Sequence, residues 1–177
     1  MSLQGFIGPM SSGKTGELVN LFSQSQKTKK IVLKPVENTR DEEGFLSSRN
    51  GCKVPAVVVE NIGDLNKAWN STLILIDECQ FFPPHLIEAI ILLSKAPRKE
   101  VIFFGLDYDW LGNKFEGIER LEKESQQVTI LYGVCKKCGK PSSRTAKKNR
   151  NGNRFEVGGD EEYYDLCLDC FKEYQNE

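Results

Sequence analysis

Eight consecutive residues, Gly8, Pro9, Met10, Ser11, Ser12, Gly13, Lys14 and Thr15, follow the spacing GxxxxGKT. Glycines at both ends let a backbone come close to an anion. Consecutive N–H groups and the start of a following helix then converge on phosphate oxygens. Lys14 would reach the β- and γ-phosphates of a nucleoside triphosphate, and the Thr15 hydroxyl would bind Mg²⁺. A second stretch, LILIDECQFF, carries Asp77 and Glu78 at the end of an apolar run. Adjacent carboxylates can divide the labour, Asp77 holding Mg²⁺ through its water shell and Glu78 activating a nucleophile. The motif leaves that nucleophile open: water in a hydrolase, a substrate hydroxyl in a kinase.

Four of the six cysteines form two CxxC pairs, Cys135 with Cys138 and Cys167 with Cys170, with 28 residues between the pairs. Four thiolates at this spacing make a closed tetrahedral Zn²⁺ site, structural because no coordination position stays open for water. Iron, or disulfides in an oxidising compartment, are the alternatives. Cys52 and Cys79 have no partner by spacing, and the lone His85 is expected on the surface. The loop between the pairs is polar and basic (Arg144, Lys147, Lys148, Arg150, Arg154). It cannot bury enough surface to fold alone, so a metal would supply its folding energy. Two uses stay open: a ribbon that meets nucleic-acid phosphates, or a lid over a small molecule.

The elements that must position these groups alternate along the first three-quarters of the chain. Strands are expected over residues 3–7, 31–34, 57–60, 73–77, 101–105 and 128–131, and helices over 14–24, 65–70, 84–94 and 118–123. This alternation predicts an α/β fold, a P-loop NTPase-like, mostly parallel sheet flanked by helices. A small zinc-binding unit follows at the C-terminus. The expected division is residues 1–133 for nucleotide binding and 134–177 for the zinc unit. Both GLDYDWLGNKFEG and DECQFF would open onto the ligand edge of the sheet, so Phe81, Phe82, Trp110 and Phe115 put aromatic faces beside a carboxylate, as a nucleobase needs. Residues 109–112 fit DxxG and residues 113–116 read NKFE, but a guanine-binding site needs these motifs far apart, so their adjacency is coincidence.

A net charge of −1 excludes a general polyanion-binding surface. No apolar run approaches the roughly 20 residues needed to span a bilayer. The start, MSLQGFIG, lacks the basic and long apolar segments of a signal peptide, so a cytoplasmic location is expected, without a membrane partner.

Taken together, GPMSSGKT, DECQFF, GLDYDW…KFEG and a late CxxC…CxxC with VGG and a tyrosine before the second pair resemble the type II thymidine kinases, in matching order from about residue 5 to residue 170. The resemblance implies an ATP-dependent kinase that moves the γ-phosphate of ATP to the 5′-hydroxyl of thymidine or deoxyuridine. Such an enzyme serves nucleotide salvage for DNA synthesis. It implies structural Zn²⁺, Mg²⁺ with ATP, a zinc-anchored lasso over the nucleoside, and a homotetramer. Residue by residue, it assigns the glycine loop to ATP, with Met10 also near the nucleoside, and Glu78 as general base. Asp77, Glu78, Cys79 and Gln80 form the nucleotide-contacting turn, and Arg40 lies near the phosphates. Phe81, Leu106, Trp110 and Phe115 line the base pocket. Thr145 and Tyr163 contact the nucleoside from the lasso, and Arg154, Phe155, Glu156, Val157 and Gly158 offer backbone groups to the base edge. Trp110 stands where the family more commonly has Phe, and Asn38 replaces a common Asp. A P-loop ATPase with a nucleic-acid-binding zinc ribbon is the alternative. The near-neutral charge and the aromatics beside Glu78 argue against nucleic acid as a partner.

Overall fold

The fold was described from a computed structural model, which describes residues 2–37, 42, 44–150, 158–159 and 161–176. Strand β1 (Leu3–Ile7) runs into the glycine loop and helix α1 (Lys14–Gln24), followed by β2 (Lys30–Pro35). A short hairpin, β3 (Phe45–Ser47) and β4 (Lys53–Pro55), precedes β5 (Val57–Val59), a 3-10 segment over Ile62–Ala68 and β6 (Leu73–Ile76). After a 3-10 turn at Cys79–Phe81 come α2 (Pro84–Lys95), β7 (Glu100–Gly105), α3 (Glu116–Glu124) and β8 (Gln127–Ile130). The order across the main sheet is β5-β2-β6-β7-β1-β8, with every pairing parallel.

Parallel strands joined by helical crossovers are covered on both faces, which is why β6 reads LILI with every residue buried. Its side chains alternate between two cores. Ile74 and Ile76 join Leu86, Ile87 and Ile90 of α2 and Ile118 and Leu121 of α3. Leu73 and Leu75 face Leu18 and Val19 of α1 and Leu46 and Val54 of the β3–β4 hairpin. Pro83 and Pro84 pre-set the first turn of α2.

Beyond β8 lie β9 (Gly133–Val134), β10 (Pro141–Ser142), β11 (Arg144–Lys147), β12 (Tyr163–Leu166) and α4 (Leu168–Asn176). Two antiparallel ribbons, β9–β10 and β11–β12, surround a third apolar cluster containing Cys135, Ala146, Leu166, Cys167, Cys170 and Phe171.

Two expectations need correction. Residues 65–70 form no α-helix; the 3-10 segment over Ile62–Ala68 is capped by Asn61 and Asp64, which bond reciprocally at its start. Asp77 lies past the end of its strand, which stops at Ile76. The apparent DxxG is a turn closed by its own aspartate, since Asp109 Oδ1 accepts the N–H groups of Leu111 at 3.0 Å and Asn113 at 2.8 Å. Truncating Ile74, fully buried in the central strand, to alanine should cost about 2–5 kcal/mol, read as a lower denaturant midpoint with an unchanged slope.

Candidate active site

Helix α1 begins at Lys14 behind Gly13, whose φ of 83° is a conformation glycine adopts without steric cost. Among the described residues no side chain caps this helix, and its first residues line a cavity of 560 Å³ at the C-terminal edge of the sheet. Met10, Gly13, Lys14, Thr15, Asp77, Glu78, Phe81 and Leu106 line that cavity together. The Lys14 ammonium is buried and has an acceptor for each proton: Gly8 O at 3.0 Å, Pro9 O at 2.6 Å and Ser12 Oγ at 3.3 Å. Burial lowers its pKa, opposed by the carboxylates of Glu78, Asp77, Asp107 and Asp165.

Across the cavity the Thr15 hydroxyl donates to Asp77 Oδ2 at 3.4 Å. The other oxygen, Asp77 Oδ1, is buried and meets no donor among the described residues. Burial, with the neighbouring Glu78 carboxylate next, pushes Asp77 up to about 8, against the pull of Lys14. A lone buried carboxylate oxygen beside a threonine hydroxyl is a donor set suited to a hard divalent cation. Glu78 is one of only two non-glycine residues at positive φ among those described (φ 50°, ψ 43°), and that turn sets the direction its side chain takes from the strand end. Gln80 holds it: Nε2 donates to Glu78 Oε2, while Oε1 accepts the Leu106 N–H at 3.0 Å.

Other expected residues fall elsewhere. Cys79 is wholly buried with its thiol turned to Ile76 O at 3.7 Å, and burial raises its pKa, so its side chain is core. Phe115 packs in the same core cluster and borders a second cavity, of 790 Å³, with Phe81 and Phe82. Trp110 and Tyr163 are buried, and the Lys147 ammonium lies 5.7 and 5.9 Å from their ring centres. Thr145 is buried and its hydroxyl accepts the Met10 N–H at 3.0 Å. Gly158 is buried against Tyr163. Asn38, Arg40, Arg154, Phe155, Glu156 and Val157 lie outside the described residues.

The cavity wall also holds a group that motif reading missed. Arg49, at the tip of the β3–β4 hairpin, lines it and approaches Ser11 Oγ at 3.5 Å. The signal was Asn50-Gly51, a dipeptide that favours hairpin turns.

In the C-terminal unit the sulfurs of Cys135, Cys138, Cys167 and Cys170 all lie within 4.8 Å of one another, with Cys138 and Cys167 3.6 Å apart. A tetrahedron with metal–sulfur bonds of about 2.3 Å has edges of about 3.8 Å, so the set fits a closed four-thiolate site. Burial opposes ionisation of Cys135, but the N–H groups of Cys167, Cys138 and Lys137 outweigh it and bring the thiol down to about 6. Burial and the neighbouring sulfurs push Cys170 up to about 12. Four thiols this close cannot all ionise without a cation between them. Two arginines of this unit pack on rings, Arg144 on Tyr108 at 3.8 Å and Arg150 on Tyr174 at 4.1 Å, while Lys136, Lys137, Lys140 and Lys148 are exposed.

A thymidine kinase family model matches residues 1–171. The chain belongs to the thymidine kinase family. Similar curated proteins include the thymidine kinase of Amsacta moorei entomopoxvirus, 30% identical over 97% of this chain and 98% of the relative. That of Choristoneura fumiferana entomopoxvirus is 30% identical over 98% and 97%. A solved structure of Bacteroides Pif1 bound to single-stranded DNA is similar over 73% of this chain and 38% of its own, at 16% identity and a TM-score of 0.40, too loose a likeness to carry an argument. Among the described residues no helix is long and apolar enough to cross a membrane.

Asp77 generates a pH prediction. Between about pH 4 and 8 the folded chain keeps a proton on Asp77 that the unfolded chain releases. Stability of the protein without added Mg²⁺ therefore falls as pH rises through that window. Asp77→Asn should flatten this part of the stability–pH curve, measured by denaturant titration at pH 5 and pH 8; an unchanged slope would contradict the burial argument.

Proposed function

We propose that this chain transfers the γ-phosphate of ATP to the 5′-hydroxyl of thymidine. The observation that carries the reading is that Glu78 and Asp77 share one cavity with Lys14 and Thr15, at the loop the C-terminal unit touches through Thr145. Membership of the thymidine kinase family supports thymidine as acceptor.

In this reading the open amides at the start of α1 and the Lys14 ammonium hold the triphosphate. Lys14 stabilises charge on the transferring group, and its loop carbonyl partners keep it from swinging into solvent. Glu78 accepts the proton of the 5′-hydroxyl as the new bond forms, and Gln80 keeps its carboxylate aimed. Asp77 and Thr15 would hold Mg²⁺, which would offset the negative charge of the phosphates. Met10, Phe81 and Leu106 supply apolar walls for the nucleoside. Residues 134–177 act as the lid, stapled by Zn²⁺ on the four cysteines, and exclude water so that transfer outruns hydrolysis.

Two outcomes test this. Glu78→Gln should keep ATP affinity within about twofold and lose about 10²–10⁴ in kcat for thymidine phosphorylation, followed with γ-labelled ATP; near-normal turnover would remove Glu78 as base. Removing zinc with a chelator should unfold the C-terminal unit and abolish thymidine phosphorylation while the core sheet keeps its far-ultraviolet dichroism. Activity that survives verified zinc loss would contradict the lid.

A further inference from the structure

Thr145 and Asp165 are partners in the β11–β12 ribbon, directly opposite each other. Cross-strand partners project to the same face. From that face both reach the glycine loop, and they meet consecutive amides. Thr145 Oγ1 accepts the Met10 N–H at 3.0 Å, and the two oxygens of Asp165 accept the Ser11 N–H at 3.4 and 3.3 Å. Met10 and Ser11 are the middle residues of a turn closed by the Ser12 N–H donating to Pro9 O at 3.2 Å. The N–H groups of middle turn residues have no partner within the turn, so an outside acceptor must satisfy them.

Asp165 is fully buried. A buried carboxylate is costly unless donors surround it. Its donors here are the Ser11 amide and the Ser142 hydroxyl, which bonds Oδ2 at 3.2 Å. Gly133 leaves the space: a Cβ there would stand 2.3 Å from Asp165 Oδ2 and 2.7 Å from Ser142 Oγ. Ser142 and Gly133 thus help to seat this carboxylate on one loop amide. Just beyond it in sequence stands Cys167, whose sulfur belongs to the four-cysteine cluster.

We propose that Asp165 is a positioning residue for the phosphate loop. Together with Thr145 it locks the turn of residues 9–12 to the cysteine-anchored ribbon, so the ATP cradle takes its working shape only when that ribbon is folded. The C-terminal unit then acts on the ATP side of the reaction as well as the nucleoside side. This rests on the reading of the glycine loop as the ATP site.

The test compares Asp165→Ala, Asp165→Asn and Gly133→Ala with the parent chain. Zinc content, equilibrium binding of ATP with Mg²⁺, and KM and kcat for each substrate are measured on the zinc-loaded proteins. Asp165→Ala should raise Kd and KM for ATP about tenfold and leave the thymidine KM within about twofold. Asn keeps an oxygen for the Ser11 amide and should restore ATP binding to within about twofold of the parent. Gly133→Ala keeps the carboxylate but pushes it off its seat, and should reproduce the loss; it carries the test by itself if Asp165→Ala fails to hold zinc. Parent-like ATP binding in zinc-loaded Gly133→Ala and Asp165→Ala overturns the proposal, as does an equal rise in KM for both substrates or an Asn variant as weak as Ala. A parent chain that binds no ATP overturns the assignment of the loop itself, and this proposal with it.

Discussion

The Lys14 ammonium sits in a crowd of groups that would otherwise repel or lose water at its expense. It is buried, three loop acceptors saturate it, and four carboxylates, those of Asp77, Glu78, Asp107 and Asp165, act on it electrostatically. An isolated charge in that position would be prohibitively costly. Shared among these partners it becomes the point about which the sheet edge is organised. The loop must curl to bring the Gly8 and Pro9 carbonyls onto it. Strand β6 must end where it does to set Asp77 beside Thr15. Asp77, buried next to Glu78, is left with one oxygen that meets no donor among the described residues and a strong tendency to keep its proton. Such a set of charges is poised to accept a cation and a polyanion together.

The second organising element is the four-sulfur cluster. Its ribbon is too short and polar to stand alone, yet it sets Thr145 and Asp165 at the glycine loop. Two of its arginines pack on the chain's own rings, Arg144 on Tyr108 and Arg150 on Tyr174. A ribbon built to grip nucleic acid would hold such side chains out toward phosphates. Here these two instead hold the unit to itself and to the loop that follows β7.

Much of this was legible in the sequence because it is local. GxxxxGKT specifies a loop between a strand and a helix. An apolar run ending in two acids specifies a buried strand opening on the ligand edge. Paired CxxC spacing specifies a cluster, and the six main strands could be read from their apolar runs. What escaped depends on pairing between distant residues. The β3–β4 strands have three residues each, too few for a periodic signal, so the hairpin that carries Arg49 to the loop went unread. Asp165 looks like any polar residue before a cysteine until the register sets it opposite Thr145. The burial of Cys79, Thr145 and Phe115 likewise follows from what packs over them, which spacing does not encode.

The account turns on where the γ-phosphate goes once the cavity is filled. The most direct measurement is the partition of label from γ-labelled ATP between thymidine monophosphate and free phosphate, with the zinc-loaded chain and saturating thymidine, set beside the same reaction with single-stranded DNA in its place. The account predicts that nearly all label passes to thymidine and that DNA leaves the slow release of phosphate unchanged. Label appearing chiefly as free phosphate, accelerated by DNA and indifferent to thymidine, would contradict it.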